Sequence, residues 1–284
     1  MYVGIEGRGT EFSCVIGRGM NDIVARITYP ATDPVETLGR AIEFVRESGH
    51  ADEVTAAGIA CFGPLDLVRG LVTYTFKPGW QGFPIVDYVR DGLDVPVVID
   101  TDVNAAAIAE GAARGVDNLL FVTIGTGTGI GAGALADGHP VHGLSHPEMG
   151  HLPVTRHPDD PMAGLCPYHG DCLEGLATSK AMVARWGVPV EQSSREAIDL
   201  EAWYLAQIAV AATYMLSPQV IVVDGGVAKL PGMIDAIRAA TRDRLSNDPA
   251  VASITADIDA YIHGSVLGGE AAVLGALTMA GNIK

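Results

Sequence analysis

A strand–turn–strand pattern occurs twice in this chain. Tyr2-Val-Gly-Ile-Glu-Gly-Arg-Gly-Thr10 and Phe121-Val-Thr-Ile-Gly-Thr-Gly-Thr128 each give a short apolar strand, a Gly-x-Gly-Thr turn and a returning strand. Two ordinary hairpins produce the same pattern, since glycine is common in tight turns. The recurrence favours more: two turns with bare backbone amides and a Thr hydroxyl suit one polyphosphate approached from two lobes. Neither turn matches Gly-x4-Gly-Lys-Ser/Thr and neither opens a helix, which excludes the P-loop and Rossmann readings.

The elements around the turns alternate. Strands are expected over 2–6, 11–17 and 22–29, followed by a helix with Asp33 as N-cap, Pro34 at its first position and Gly49 closing it. A strand over 54–62, an irregular stretch to about 86, a short helix 86–93, a strand 95–99 and a small-residue helix 105–113 complete the first half. The pattern restarts near Val116 with strands 119–124 and 131–135. After an irregular segment, 138–170, come helices 173–186 and 193–216, strand 220–223, helix 230–246, a strand near 257–262 and a final helix 268–281. Strands alternating with helices imply an α/β fold, and the restart implies two lobes. We expect an N-terminal lobe over 1–115, with the last helix, 268–284, packing back on it, and a C-terminal lobe over 116–267.

The chain has 284 residues, enough for two modest lobes with their own cores. Its net charge of −16 argues against nucleic-acid or anionic-membrane partners. The longest apolar stretch, 202–216, is short of a membrane span, and no signal peptide precedes the first strand. Cys14 and Cys61 lie in apolar strand-like runs, which suggests reduced thiols and a cytoplasmic location. Glycine, at 35 residues, is in excess. Much of it falls at 7, 9, 125–133, 225–226 and 268–269, where backbone would approach a nucleotide.

The segment Cys166-Pro-Tyr-His169-Gly-Asp-Cys172 places three zinc-type ligands at x2 spacing. Six of the eight histidines lie between His139 and His169, so a fourth ligand is near. His151 is the choice and His157 the rival. Two Cys and two His with no open position would be a structural site pinning the loop 151–172. The bland alternative is a solvated histidine beside reduced thiols.

Asp100-Thr101-Asp102-Val103-Asn104 stands at the end of a strand and the start of a helix, where ligands bind in open α/β sheets. A carboxylate there can take a proton from a hydroxyl attacking a phosphoryl group. Helix capping by Thr101 or Asp102 explains the same residues equally well. Asp224-Gly225-Gly226 suits close approach of a flat ring, or is a plain turn. Lys77-Pro-Gly-Trp80 puts a cation and an aromatic on a loop, although Trp80 alone reads as core.

Together these residues resemble the ROK (repressor, ORF, kinase) family, within the actin/hexokinase/Hsp70-like ATPase superfamily. Ile124-Gly-Thr-Gly-Thr-Gly-Ile-Gly-Ala-Gly-Ala134 and Gly143-Leu-Ser-His-Pro-Glu-Met-Gly-His151 are similar to its signature region. The Lys77-Pro-Gly-Trp80, Thr101-Asp-Val-Asn104 and Cys-x2-His-x2-Cys segments resemble the bacterial fructokinase branch. The resemblance implies two ribonuclease H-like lobes around a central nucleotide and sugar cleft, ATP with Mg²⁺, and phosphorylation of a hexose, for fructose at the 6-position. It implies Asp102 as general base, and Glu148, His151 and Glu174 lining the sugar, with Gly63, Pro64 and Asn104 contributing. It makes Glu6, Gly7, Gly9 and Thr10 the first phosphate loop, Gly125, Thr126, Gly127 and Thr128 the second, and Gly225-Gly226 the adenosine motif. His151 would serve both zinc and sugar, with Cys166, His169 and Cys172 completing the structural Zn²⁺ site. A homodimer is an expectation from the resemblance alone.

Two positions depart from the family's Asp-x-Gly-Gly-Thr-Lys. Arg8 stands for Gly and either grips a phosphate or fills the turn, and Glu11 stands for Lys. Rival readings are a kinase for mannose, glucose or an N-acetylhexosamine, and a catalytically weak sugar sensor. Regulatory ROK proteins carry an N-terminal DNA-binding module, whereas this chain begins on its first strand.

Overall fold

The computed structural model describes residues 1–75, 77–125 and 129–283. It divides into two compact units: Met1–Arg114 with His139–His146 and Glu270–Lys284, and Gly115–Gly138 with Pro147–Gly269.

The first unit carries strands β1 (Tyr2–Gly7), β2 (Glu11–Gly19), β3 (Asp22–Pro30), β4 (Ala56–Cys61), β5 (Leu65–Asp66), β6 (Leu71–Val72) and β7 (Val97–Thr101). Its main sheet has the order β3-β2-β1-β4-β7. β1 and β2 are antiparallel, whereas β1, β4 and β7 run parallel. β4 is buried at every position, as a central strand covered on both faces should be. β3 alternates exposed and half-buried residues along most of its length because it forms the edge.

Helices α1 (Pro34–Glu47), α2 (Ile85–Leu93) and α3 (Asp102–Arg114) connect these strands. α1 begins as its residues dictate: the Asp33 carboxylate accepts from the amides of Val35 and Glu36 at 3.0 and 3.1 Å. Its Leu38, Ile42 and Val45 face inward on one stripe.

The second unit repeats the plan with β8 (Leu119–Ile124), β9 (Ile130–Ala136), β11 (Val220–Asp224) and β12 (Ile262–Gly264); the two-residue β10 (His139–Pro140) falls in the first unit. These four strands lie in the order β9-β8-β11-β12. β8 and β9 are antiparallel, and β8, β11 and β12 are parallel. The repeated turn motif in the sequence therefore marks a repeated topology.

The helices of this unit are α4 (Leu173–Leu176), α5 (Ser179–Trp186), α6 (Arg195–Met215), α7 (Met233–Leu245), α8 (Ala252–Ala256) and α9 (Ile258–Tyr261). Two expectations fail here. The helix over 173–186 is broken, because the Thr178 hydroxyl caps a new helix by accepting from Ala181 N at 3.2 Å. The strand near 257–262 begins only at Ile262; Asp257 instead accepts from Ala260 N at 3.2 Å and starts the short α9.

The last helix, α10 (Ala271–Gly281), returns to the first unit and packs along α3, β1 and β4. A Cβ at Gly275 would collide with the Ala105 carbonyl, and one at Gly58 with the Ala276 carbonyl. Part of the glycine excess thus serves close packing of backbone on backbone, away from any turn.

The longest helix hides a buried acid. Glu201 on α6 is 1% exposed, and both its carboxylate oxygens lack a hydrogen-bond partner among the described residues. Burial pushes its carboxyl up to about 8, with Arg185 pulling it down and Asp160 pushing it up. Since the folded value lies above the unfolded one, stability is fully present near pH 4 and declines as pH rises toward about 8. Glu201→Gln is expected to raise the melting temperature at pH 8 and to leave it nearly unchanged at pH 4.5. Scanning calorimetry at both pH values checks the difference.

Candidate functional site

The first unit gathers its chemistry at the carboxyl ends of β1, β4 and β7. The register sets Glu6 opposite Ala60 and Cys61 opposite Thr101. Gly7-Arg8, Phe62-Gly63-Pro64 and Asp102 therefore leave three neighbouring strands, the end of an open α/β sheet where ligands bind.

Asp102 is the first residue of α3, and its Oδ1 accepts from Val103 N at 2.9 Å. The Thr101 hydroxyl accepts from Asn104 N at 3.2 Å, so Thr101 does the capping across a turn. Asp100, named in the sequence motif without a role of its own, organises the neighbourhood. Its Oδ1 accepts from Thr101 N at 2.6 Å and from the Asn104 side-chain amide at 2.9 Å. Its Oδ2 lies 2.9 Å from His142 Nε2. Asn104 is buried, and this bond fixes which way its amide points.

The Gly63–Pro64 peptide is cis. A Cβ at Gly63 would come within 2.9 Å of the His146 ring, and His146 Nε2 accepts from Leu65 N at 2.9 Å. His146, also not singled out beforehand, thus holds this bend from inside. Its signal was present in the dense histidine run.

At the first turn the backbone closes from Arg8 N to the Glu11 carbonyl at 2.9 Å. Arg8 donates through Nε and Nη2 to both oxygens of Glu6, at 2.7 and 3.0 Å, and through Nη1 to Glu11 at 3.1 Å. Burial pushes the Glu6 carboxyl up while the Arg8 guanidinium pulls it down. The two departures from the family motif are therefore one compensating pair: Arg8 answers two acids, and Glu11 does not stand uncompensated. A magnesium ion reaching Glu6 has to compete with that bidentate fork. Gly7 lies against the Phe12 ring, whereas Gly9 has open space around it and Thr10 is exposed.

In the second unit, Gly125 N donates to the Gly129 carbonyl at 3.3 Å. Thr126, Gly127 and Thr128 lie outside the described residues. Glu174 on α4 accepts from Ile130 N at 3.1 Å and so braces the first residue of β9, where this turn ends. Gly225 follows β11 with φ +98°, and a Cβ there would collide with the Ile124 carbonyl, so the position demands glycine. Gly226 comes next, half-buried, and Asp224 lies 3.4 Å from Lys229 Nζ.

One ligand atom from each of His151, Cys166, His169 and Cys172 lies within 4.8 Å of the others. His151 Nδ1 is 3.7 and 3.6 Å from the sulfurs of Cys166 and Cys172, and His169 Nδ1 is 3.8 Å from Cys166. Zn–S and Zn–N bonds of about 2.3 and 2.0 Å at tetrahedral angles separate S and N by about 3.5 Å, so the donor set fits zinc. His157 is not part of the cluster: it lies edge-on to Trp203 at 5.0 Å, and its Nδ1 accepts from Asp159 N at 3.2 Å. Glu148 is exposed at the start of the turn Met149–His151, its carbonyl accepting from His151 N at 3.0 Å. The irregular loop is tied down further by Asp160, which accepts from Arg185 at 2.9 and 3.1 Å and from the Tyr204 hydroxyl at 2.7 Å.

A family model described as ROK family matches residues 2–282. The chain belongs to the ROK family. Among ROK relatives, it is 40% identical to the fructokinase of Zymomonas mobilis over 99% of this chain and 96% of that one. It is 27% identical to the glucokinase of Halalkalibacterium halodurans over 80% of this chain and 81% of that one. The ROK hexokinase of Thermus thermophilus matches with a TM-score of 0.82 at 26% identity, covering 98% and 97% of the two chains. The mixed α/β architecture of this chain is that of the ROK sugar kinases. No helix among its described residues is long and apolar enough to cross a membrane.

Proposed function

We propose that this chain is an ATP-dependent fructokinase that phosphorylates the 6-hydroxyl of fructose. The observation that carries the reading is the 40% identity, over nearly all of both chains, to a fructokinase. The lower, 27% identity to a glucokinase favours glucose less. The sensor reading loses its main motive, because Arg8 and Glu11 pair with each other. Four free cysteines suit a reducing compartment, which supports work in the cytoplasm.

In this reading the hexose oxygen attacks the terminal phosphorus of ATP. The new O–P bond forms as the bond to the ADP oxygen breaks, and the hydroxyl proton passes to the Asp102 carboxylate. Most of the remaining work is positioning and charge neutralisation. In the first unit, Asp100 sets the Asn104 amide for a sugar hydroxyl, Gly63 and Pro64 shape the wall beside it, and Gly7, Gly9 and Thr10 offer donors to phosphate. In the second unit, Gly125 and its turn take phosphate, Gly225-Gly226 leave room for adenosine, and Glu148, His151 and Glu174 face the sugar. With Nδ1 of His151 turned to the two sulfurs, Nε2 is the nitrogen left for a sugar hydroxyl. Zinc, held by His151, Cys166, His169 and Cys172, would supply a fixed anchor for the loop. Magnesium would neutralise the nucleotide phosphates, which an acidic chain with few cations cannot do alone.

Incubation with MgATP and fructose, followed by NMR of the sugar product, tests the assignment. Fructose 6-phosphate is expected; fructose 1-phosphate, or ATP left intact, contradicts it.

A further inference from the structure

Lys77 is the residue of the first unit whose placement the catalytic assignments above leave unused. Its ammonium donates to the Arg8 carbonyl, within the first phosphate turn, at 2.9 Å. The same nitrogen stands 3.9 Å from the centre of the Phe62 ring, which follows β4 directly. Phe62 in turn lies edge-on to the buried Trp80, 5.4 Å away, and Trp80 stacks on Phe12 of β2 at 5.1 Å. Trp80 Nε1 donates to the Thr32 carbonyl at 3.0 Å. The Lys77-Pro-Gly-Trp80 segment is therefore anchored at its aromatic end in the core and delivers its cation over the ends of β1 and β4.

We propose that Lys77 is a positioning residue for phosphoryl transfer, which ties the first phosphate turn to the strand ends that carry Asp102. It does so by holding the Arg8 carbonyl, so that the amides of Gly7 and Gly9 keep a fixed place relative to the base. The charged and titratable groups that act on Lys77 are Asp102, at the start of α3, and Cys61, at the end of β4. Arg8 meets it through its carbonyl. Burial lowers the Lys77 ammonium, against the pull of the Asp102 carboxylate, which favours its charge; burial also pushes the Cys61 thiol up, so it stays uncharged. A desolvated ammonium held by a carbonyl and an aromatic face is a fixed charge of the kind phosphoryl transfer uses. Loss of its proton at alkaline pH would release the turn.

The proposal rests on the kinase reading with Asp102 as base, and the tests separate the two. Lys77→Met and Lys77→Arg are compared with the unaltered chain in MgATP-dependent fructose phosphorylation, alongside Asp102→Asn. Lys77→Met is expected to lower kcat by about 10²-fold and to raise KM for ATP, with KM for fructose within about twofold, the range in which no binding contact is lost. Lys77→Arg keeps the charge, so it should recover part of the loss and move the alkaline limb of the rate profile to higher pH. Equal shifts in both KM values, or kcat and KM for ATP unchanged, would overturn the proposal. If Lys77→Met fails to fold, the Lys77→Arg alkaline limb decides, and an unmoved limb counts against. If Asp102→Asn retains turnover, it is the base assignment that fails, whatever Lys77 does.

Discussion

Replacing Asp102 by Asn is expected to cut turnover by about 10²- to 10⁴-fold, the usual contribution of a positioned base. Hexose affinity should change little, because the substitution keeps the side chain's shape and removes its ability to take a proton. The local geometry supports this separation. Thr101 caps α3 and Asp100 holds Asn104, so neither the helix start nor the Asn104 amide depends on the Asp102 charge. Steady-state ADP release gives kcat, and calorimetric titration with fructose gives affinity. Turnover within about tenfold of the unaltered enzyme would remove Asp102 from the role of base.

The second large effect concerns the metal. Cys172→Ser is expected to abolish zinc binding and lower the melting temperature by roughly 5–15 °C, as the loss of a structural ion costing several kcal/mol should. Apart from the cluster, the side-chain bonds of the loop it pins include those of Arg156, Asp160 and Asp171. Cys14→Ser serves as the comparison, since Cys14 is buried in the first unit and belongs to no metal-ligating group among the described residues. Elemental analysis with thermal melts checks both variants. Purified protein with no zinc, or a Cys172→Ser variant retaining one equivalent, contradicts the site. Turnover should also fall in that variant, because His151 would lose the partner that orients its ring.

Much of this was legible in the residues, for physical reasons that differ by element. Asp33 and Pro34 announced α1 because capping is chemistry within a few residues. Cys166, His169 and Cys172 announced a cluster because chelation constrains spacing, and the structure brings them together with His151. Contacts between distant segments were not legible. His146 supporting the Gly63–Pro64 bend spans 81 residues to Leu65, and no local pattern encodes it. The His142 contact to Asp100 is of the same kind. Glu201 falls within the expected helix 193–216, and only packing shows that its carboxylate is buried with no hydrogen-bond partner among the described residues. Arg8 and Glu11 read separately as a bulky cation and a stray acid; with Glu6 they form one hydrogen-bonded unit. Gly58 and Gly275 carried no local signal of their own, and only packing shows that they let α10 rest against β4 and α3.

The central claim concerns which sugar is phosphorylated. Its most direct test is kcat/KM with MgATP for fructose, glucose, mannose and an N-acetylhexosamine, measured by ADP release under one set of conditions. Fructose is expected to exceed each of the others by about tenfold or more, a margin that one well-placed hydroxyl contact can supply. A higher value for any other sugar, or no ADP release with all four, would contradict the account.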